Sequence, residues 1–257
     1  MKLWLRGNLA AAVVFVGLIA LWEVVCRLAN VPVWLLPSPG QITAALWSSK
    51  DILPLHIFTT TWEVLAGFGV AVGVGIPLSI LIVFSDFSRK LIYPFLVVLQ
   101  SVPKVALAPI MLLWIGYGTS SKILIAAVTA FFPIIINTSA GMEAVPVEML
   151  ELSRSLNSPP LKVFWRVRLP YAMPYVFSGM KVAMALALIG AVVGEFVGAD
   201  RGLGYLILTF SSTMNTALVF GAIVLLAILG IALFYLVTLV EKIACPWYVV
   251  TNKNQYV

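Results

Sequence analysis

Long apolar runs recur from one end of this sequence to the other, and they decide what the chain can become. Runs near residues 8–29, 62–84, 91–116, 122–141, 173–198 and 216–240 each reach the ~18–20 residues that a helix needs to cross a hydrocarbon core of ~30 Å. Lipid offers a backbone no hydrogen bonds, so each run must satisfy its own peptide groups as a helix or join a closed barrel. The runs are too continuous for the alternating pattern of barrel strands. The expectation is an all-α integral membrane fold with six transmembrane helices. Composition agrees: 10% of residues are charged and 62% hydrophobic, whereas soluble domains carry about a quarter charged residues. No stretch is left over for a separate soluble domain, so residues 1–257 read as a single transmembrane domain.

Lys2 and Arg6 precede an apolar stretch, as in a signal peptide, but the stretch to about Ala29 exceeds a usual signal core and lacks a small-x-small cleavage site. A retained first span is expected. The net charge of +6 does not indicate nucleic-acid binding, because the basic residues are scattered between apolar segments rather than aligned on one stripe. Cys26 and Cys245 belong to no CxxC or Cys/His cluster, which implies neither a disulfide nor a metal site.

Lys and Arg in short loops set orientation. With a cytoplasmic N-terminus, the inner segments hold ten of them, Lys2, Arg6, Arg89, Lys90, Arg154, Lys162, Arg166, Arg168, Lys242 and Lys253, and the outer segments three, Lys50, Lys122 and Arg201. Both termini are therefore expected to be cytoplasmic. On the outer side, Leu36-Pro37-Ser38-Pro39-Gly40 precludes a regular helix and Gln41–Ser49 reads as a short interfacial one. Residues 199–216 contain an apolar run too short to span, which reads as a re-entrant or surface helix.

The cytoplasmic loop from Glu143 to Pro170 is long enough to carry structure of its own. Glu143, Glu148 and Glu151 come early and Arg154, Lys162, Arg166 and Arg168 late, an order suited to helix dipoles. Asn157-Ser158-Pro159-Pro160 breaks the loop into two helices: Asn tolerates a left-handed helix end, Ser158 is a capping residue type, and proline suits a first turn. Leu161, Phe164, Trp165 and Arg168 then form an apolar ridge with a charged flank, and Leu169-Pro170 is expected to stop the second helix. An amphipathic helix pair on the cytoplasmic face is a docking element by physical type.

The order Glu151-Leu152-Ser153, three residues, Asn157, nine residues, Val167, one residue, Leu169-Pro170 resembles the EAA-x3-G-x9-I-x-LP loop of binding-protein-dependent ABC importer permeases, with every spacing preserved. Leu152-Ser153 replace the two alanines, Asn157 the glycine and Val167 the isoleucine. Leu36-Pro37-Ser38-Pro39, Ser101-Val102-Pro103, Ala108-Pro109, Ile115-Gly116-Tyr117-Gly118, Phe132-Pro133, Gly194-Glu195 and Gly202-Leu203-Gly204-Tyr205 are similar to landmarks of the nitrate/sulfonate/taurine class. The resemblance covers roughly residues 30 to 242.

It implies the type I importer permease fold, a homodimer of permeases in a bacterial inner membrane, two ATPase subunits on the cytoplasmic side and an external solute-binding protein. Glu148, Glu151, Ser153, Asn157, Ser158, Leu169 and Pro170 would then lie in the ATPase-coupling loop. ATP and Mg would sit on the partner ATPase, with no cofactor, metal or catalytic residue in this chain. The sequence indeed contains no G-x-x-x-x-G-K-[ST] phosphate loop.

Ionisable residues inside spans need a partner, a polar interior or a route to the surface. Lys181 has a stem long enough to snorkel towards the cytoplasmic face. Glu195, near the outer end of the fifth span, has Arg201 as a candidate partner in an outer gate. Lys104 follows Pro103, which removes a backbone donor, and broken helices near the midplane are where transporters place solute contacts. Lys104 with Gln100 and Ser101 is expected to line the path and to favour an anionic solute. Two other classes fit less well. Gly116-Tyr117-Gly118 lacks the Thr-Val that precedes a potassium-filter glycine. A membrane enzyme would want clustered acid–base groups, yet His56 is the sole histidine and reads as a solvated loop residue.

Overall fold

A computed structural model describes residues 2–248, with side chains except those of residues 2–12, 86, 93 and 97. The orientation signal from the Lys2 and Arg6 side chains and from Lys253 lies outside the described residues. The described residues form eleven α-helices and no strand: α1 (Lys2–Leu28), α2 (Pro39–Ser48), α3 (Leu53–Phe84), α4 (Asp86–Ser101), α5 (Lys104–Ile115), α6 (Thr119–Glu143), α7 (Val147–Ser155), α8 (Pro160–Val163), α9 (Leu169–Gly198), α10 (Leu203–Ser212) and α11 (Thr216–Ala244). A π-helical stretch, Phe164–Arg168, joins α8 to α9.

Among these, α3, α6, the continuous helix Pro160–Gly198 and α11 are each long and apolar enough to span, and α4 with α5 supplies a fifth span if the bent pair is taken as one. Helix α1 corresponds to the first expected span, residues 8–29. The expected single helix over 91–116 is in fact two, meeting at 99°. Pro103 has no N–H to continue the α4 ladder and instead precedes the first residue of α5. Helix α3 begins at Leu53 rather than near residue 62, because Pro54 falls in its first turn, where a missing N–H costs nothing.

The chain divides into two compact units, residues 1–59 with 201–227, and residues 60–200 with 228–257. In the first unit the Leu36-Pro37-Ser38-Pro39 stretch is a helix entry. Ser38 caps α2 with Gln41 completing a capping box, and Pro39 sits in the first turn, so this helix starts two residues earlier than expected. Glu23 of α1 reinforces the start of α2: its carboxylate accepts the Gly40 N–H at 2.7 Å and the Ser38 hydroxyl at 3.3 Å, where the helix dipole favours negative charge. His56 is not a solvated loop residue. It is buried in α3, its Nδ1 accepts the Gly202 N–H at 3.0 Å, and its ring stacks on Tyr205 with centroids 5.9 Å apart. The short outer helix expected in residues 199–216 is α10, entered through Gly202 at φ +114.

The second unit is organised on the packing of α6 against α9. Its core joins Ala126, Ala130 and Ile134 of α6 to Phe177, Ala183, Met184, Ala187 and Ala191 of α9, with Val64 and Ala71 of α3 and Leu233 and Val237 of α11. Lipid tails are as apolar as these side chains, so association rests on close backbone approach through small residues. Ala126 is held from two sides: a Cβ on Gly67 of α3 would lie 2.6 Å from the Ala126 Cβ, and one on Gly190 of α9 would lie 2.9 Å from its Cα.

Candidate functional site

Helix α7 has no buried residue. Val147, Leu152 and Leu156 expose 61–69% of their surface, and Leu161 and Trp165 beyond the turn expose 69% and 59%. That is a large apolar ridge at the end of a bundle. The turn itself is a Schellman motif. Asn157 adopts φ +50, its N–H donates to the Arg154 carbonyl at 2.9 Å, and the Ser158 N–H reaches back to the Ser153 carbonyl at 3.1 Å. Asn157 thus serves as the left-handed residue expected of it. Ser158 does not cap the next helix: that position belongs to Pro159, with no side-chain cap bond, and Ser158 contributes its N–H to the turn.

Leu169-Pro170 does not stop the second helix. The chain runs helically from Pro160 to Gly198 without a break. The Leu169 N–H bonds to the Phe164 carbonyl, five residues back, and this widened turn absorbs Pro170, which has no N–H to place. The ridge is also divided. Phe164 turns inward against Met142 and Ala172 and packs edge-on against Phe84 at 5.4 Å, while the Arg168 guanidinium lies 5.2 Å over the Phe84 ring. Arg89 of α4 and Glu143 of α6 pair at 3.2 Å at the same end. Glu148 and Glu151 are exposed and form no ion pair among the described residues, and the Ser153 hydroxyl donates to the Met149 carbonyl at 2.8 Å. The hairpin is therefore anchored by Phe164 and leaves Leu152, Leu156, Leu161 and Trp165 outward.

The residues expected along the path fall into three separate places. Lys104, the first residue of α5, donates from Nζ to the Gln100 carbonyl at 2.7 Å and lies 5.2 Å over the Phe132 ring. Gln100, Phe132, Ser139, Arg89 and Glu143 line a cavity of about 270 Å³, and Ser101 is the exposed last residue of α4. The Lys181 ammonium pairs with Glu241 of α11 at 2.5 Å, its side chain 23% exposed. Glu195 is 1% exposed and accepts the Thr60 hydroxyl at 2.6 Å.

Three charged partners escaped the sequence reading. Lys122, counted there as an outer-loop charge, is 2% exposed within α6 and lies 3.6 Å from Glu63 of α3. Glu241 was not considered as a partner for Lys181. A signal for the first pair existed, since Glu63, Lys122 and Glu195 lie at matching ends of three expected spans. The Gly116-Tyr117-Gly118 run is no filter: Gly116 ends α5 at φ +94, and Tyr117 is 81% exposed in the turn to α6.

A multi-pass helical bundle that pairs its internal charges and exposes an apolar hairpin at one end has the form of a membrane translocation subunit. Residues 67–243 match the family described as the binding-protein-dependent transport system inner membrane component, and the chain belongs to that family as a permease subunit of an ABC importer. It is 34% identical over 234 residues, 91% of this chain and 93% of the other, to the formylaminopyrimidine transport permease protein ThiX of Halalkalibacterium halodurans. It is 32% identical, over 95% of this chain and 88% of the other, to the putative aliphatic sulfonates transport permease protein SsuC of Bacillus subtilis. Its fold resembles a chain of the inward-facing MetNI methionine ABC transporter, with a TM-score of 0.66 at 19% identity, covering 74% of this chain and 94% of that one.

Proposed function

We propose that two copies of this permease form the path for a small anionic solute, delivered by an external binding protein, and that two separate ATPase subunits dock on the hairpin between Glu143 and Pro170. ATP and Mg then belong to those subunits, and both termini face the cytoplasm of a bacterial cell. The observation that carries the reading is the exposed apolar ridge of Leu152, Leu156, Leu161 and Trp165, anchored to the bundle by Phe164. Leu152 and Leu156 lie outside the long apolar spans, and all four side chains lie among charged residues, which supports a partner site rather than a lipid-facing surface. The relatives named for sulfonates and for a formylaminopyrimidine support a small organic solute, and Lys104 at the α4–α5 break supports an anionic one.

The test uses Glu151→Lys, which reverses a charge beside the ridge, and Asn157→Pro, whose ring locks φ near −65° where the turn needs +50. Both variants are expected to insert and to dimerise normally. Co-purified ATPase should fall roughly tenfold or more, equivalent to ~1.4 kcal/mol, or ATP hydrolysis should no longer follow solute. Coupled transport at the wild-type rate in both variants would reject the assignment.

A further inference from the structure

Helices α4 and α6 leave a slot of about 270 Å³ between them in the second unit. On α4 it is lined by Arg89, Leu96 and Gln100, and on α6 by Phe132, Ile136 and Glu143. Each set lies on one helix face: two turns and then one separate the α4 residues, one turn and then two the α6 residues. The two rows therefore match when the helices run in opposite directions. Arg89 pairs with Glu143 at 3.2 Å at the hairpin end. Three turns away, ~16 Å, Lys104 holds the Gln100 carbonyl and lies over the Phe132 ring. Between these ends the wall is apolar, with Leu96, Phe132 and Ile135 packed on Ile82 of α3.

Charge, an orphaned hydroxyl and a weak closure distinguish this slot from a packing gap. Two cations, Arg89 and Lys104, border it against one carboxylate, Glu143, so one added negative charge would balance it. Ser139, also in its lining, has a buried hydroxyl without a hydrogen-bond partner. Ser79, Thr129 and Ser153 instead return theirs to the carbonyl four residues earlier. The closing pair is solvated, with Arg89 57% and Glu143 43% exposed, whereas Lys181–Glu241 and Lys122–Glu63 are withdrawn from water. A solvated ion pair is held weakly and exchanges easily, while a buried one is costly to break. Glu143 is moreover the last residue of α6, where the hairpin begins, so movement of the hairpin bears on the carboxylate that holds Arg89.

Resting on the reading of this chain as the path of a small anionic solute, we propose that Arg89 is an exchange gate. Paired with Glu143 it closes the hairpin-end mouth of the slot, and paired with the anionic group of the solute it opens it. An anion passing from Lys104 towards the hairpin displaces Glu143 from Arg89, and its departure lets the pair re-form. The slot has the volume of about nine waters at ~30 Å³ each, which suits a compact anion such as a small sulfonate.

Thiol labelling of the full-length permease in phosphatidylcholine tests the gate, with Ser139→Cys as reporter and Thr119→Cys, exposed at the far end of α6, as reference. Two methanethiosulfonates of similar size are compared, one bearing a sulfonate and one a trimethylammonium. Relative to the reference, the sulfonate should modify Ser139→Cys about tenfold faster than the cation, as expected for a cleft lined by the opposite sign. Adding Glu143→Gln, which releases Arg89, should raise the sulfonate rate several-fold and leave the cation rate unchanged. Adding Arg89→Gln should abolish or reverse the preference, because Glu143 then stands alone at the mouth. Millimolar ethanesulfonate should slow the labelling at constant ionic strength. Equal rate changes for both reagents in either variant would make the pair a structural clasp and overturn the proposal. Loss of the sulfonate preference in phosphatidylglycerol would mean that a lipid phosphate fills the slot, and overturns it as well. If Ser139→Cys does not assemble, Ile136→Cys reports from the same wall. The labelling needs neither transport nor ATPase, so its failure removes the gate, whereas failure of the path reading shows separately as unchanged transport in Lys104→Met.

Discussion

The Lys181 ammonium of α9 and the Glu241 carboxylate of α11 lie 2.5 Å apart, with side chains 23% and 11% exposed. The two residues therefore fasten α11, the last long helix of the chain, to α9 by a charge-assisted contact. Removing one partner strands the other in a poorly solvated place. Lys181→Met or Glu241→Gln alone should destabilise the permease by about 1–3 kcal/mol, towards the lower end because the pair keeps some solvent contact. The double variant should recover much of that loss. Thermal unfolding of the four proteins in detergent gives the comparison, and strictly additive losses would show that the pair contributes nothing as a pair.

Ala126 is gripped between Gly67 and Gly190 at distances that leave no room for a side chain on either. Gly67→Val and Gly190→Leu should each cost about 1–3 kcal/mol or more through overpacking, seen as a lower melting temperature and less protein in the membrane. Gly69→Ala provides the control, since a Cβ at Gly69 meets nothing within 4 Å. Equal losses at all three positions would mean that helix propensity, not packing, sets the outcome.

Orientation is checked by single cysteines. Introduced at Lys50 or Thr119, both exposed, a cysteine should react with an impermeant reagent in intact cells. One introduced at Ser158 should react only after permeabilisation. Native Cys26 and Cys245 are buried and contribute little background. The opposite pattern would place both termini outside.

Lys104 borders the Gln100 carbonyl and the Phe132 ring at the break between α4 and α5. Lys104→Met keeps the stem and removes the charge, so the importer should assemble normally and transport an anionic solute several-fold more slowly. Lys104→Arg keeps the charge and should retain most of the rate. Identical transport by wild type and Lys104→Met would remove this lysine from the path.

The long apolar runs were legible because span length is a local property of the chain, written in consecutive residues. So was the turn at Asn157, because few side chains accept its left-handed conformation. The uninterrupted passage through Leu169-Pro170 was not, since it depends on a five-residue hydrogen bond from Leu169 to Phe164 that no residue type announces. The 99° break at Pro103 was half-visible: proline signals a lost donor but not the angle that results. Charge partners were hidden for a different reason. Glu63 with Lys122, and Lys181 with Glu241, are joined only when helices pack, and Lys122 beside a predicted span end reads as a surface charge until its neighbours are known. His56 misled in the same way, because its partner Gly202 arrives from a distant part of the chain.

The helix that emerges from the hairpin at Pro160 ends only at Gly198. From Leu161 to Glu195 this rod rises about 50 Å at ~1.5 Å per residue, with no loop along it to take up motion. Between Leu161 and Glu195 the irregular points are the widened turn at Phe164–Arg168 and Pro174 within α9. On the proposed docking, a push received at Leu161 would reach the segment that bears Glu195 as tilt or rotation, with α6 packed against the same helix. If partner subunits dock on the hairpin as proposed, their closure would reach the bundle through a single covalent strut whose irregular points are those two.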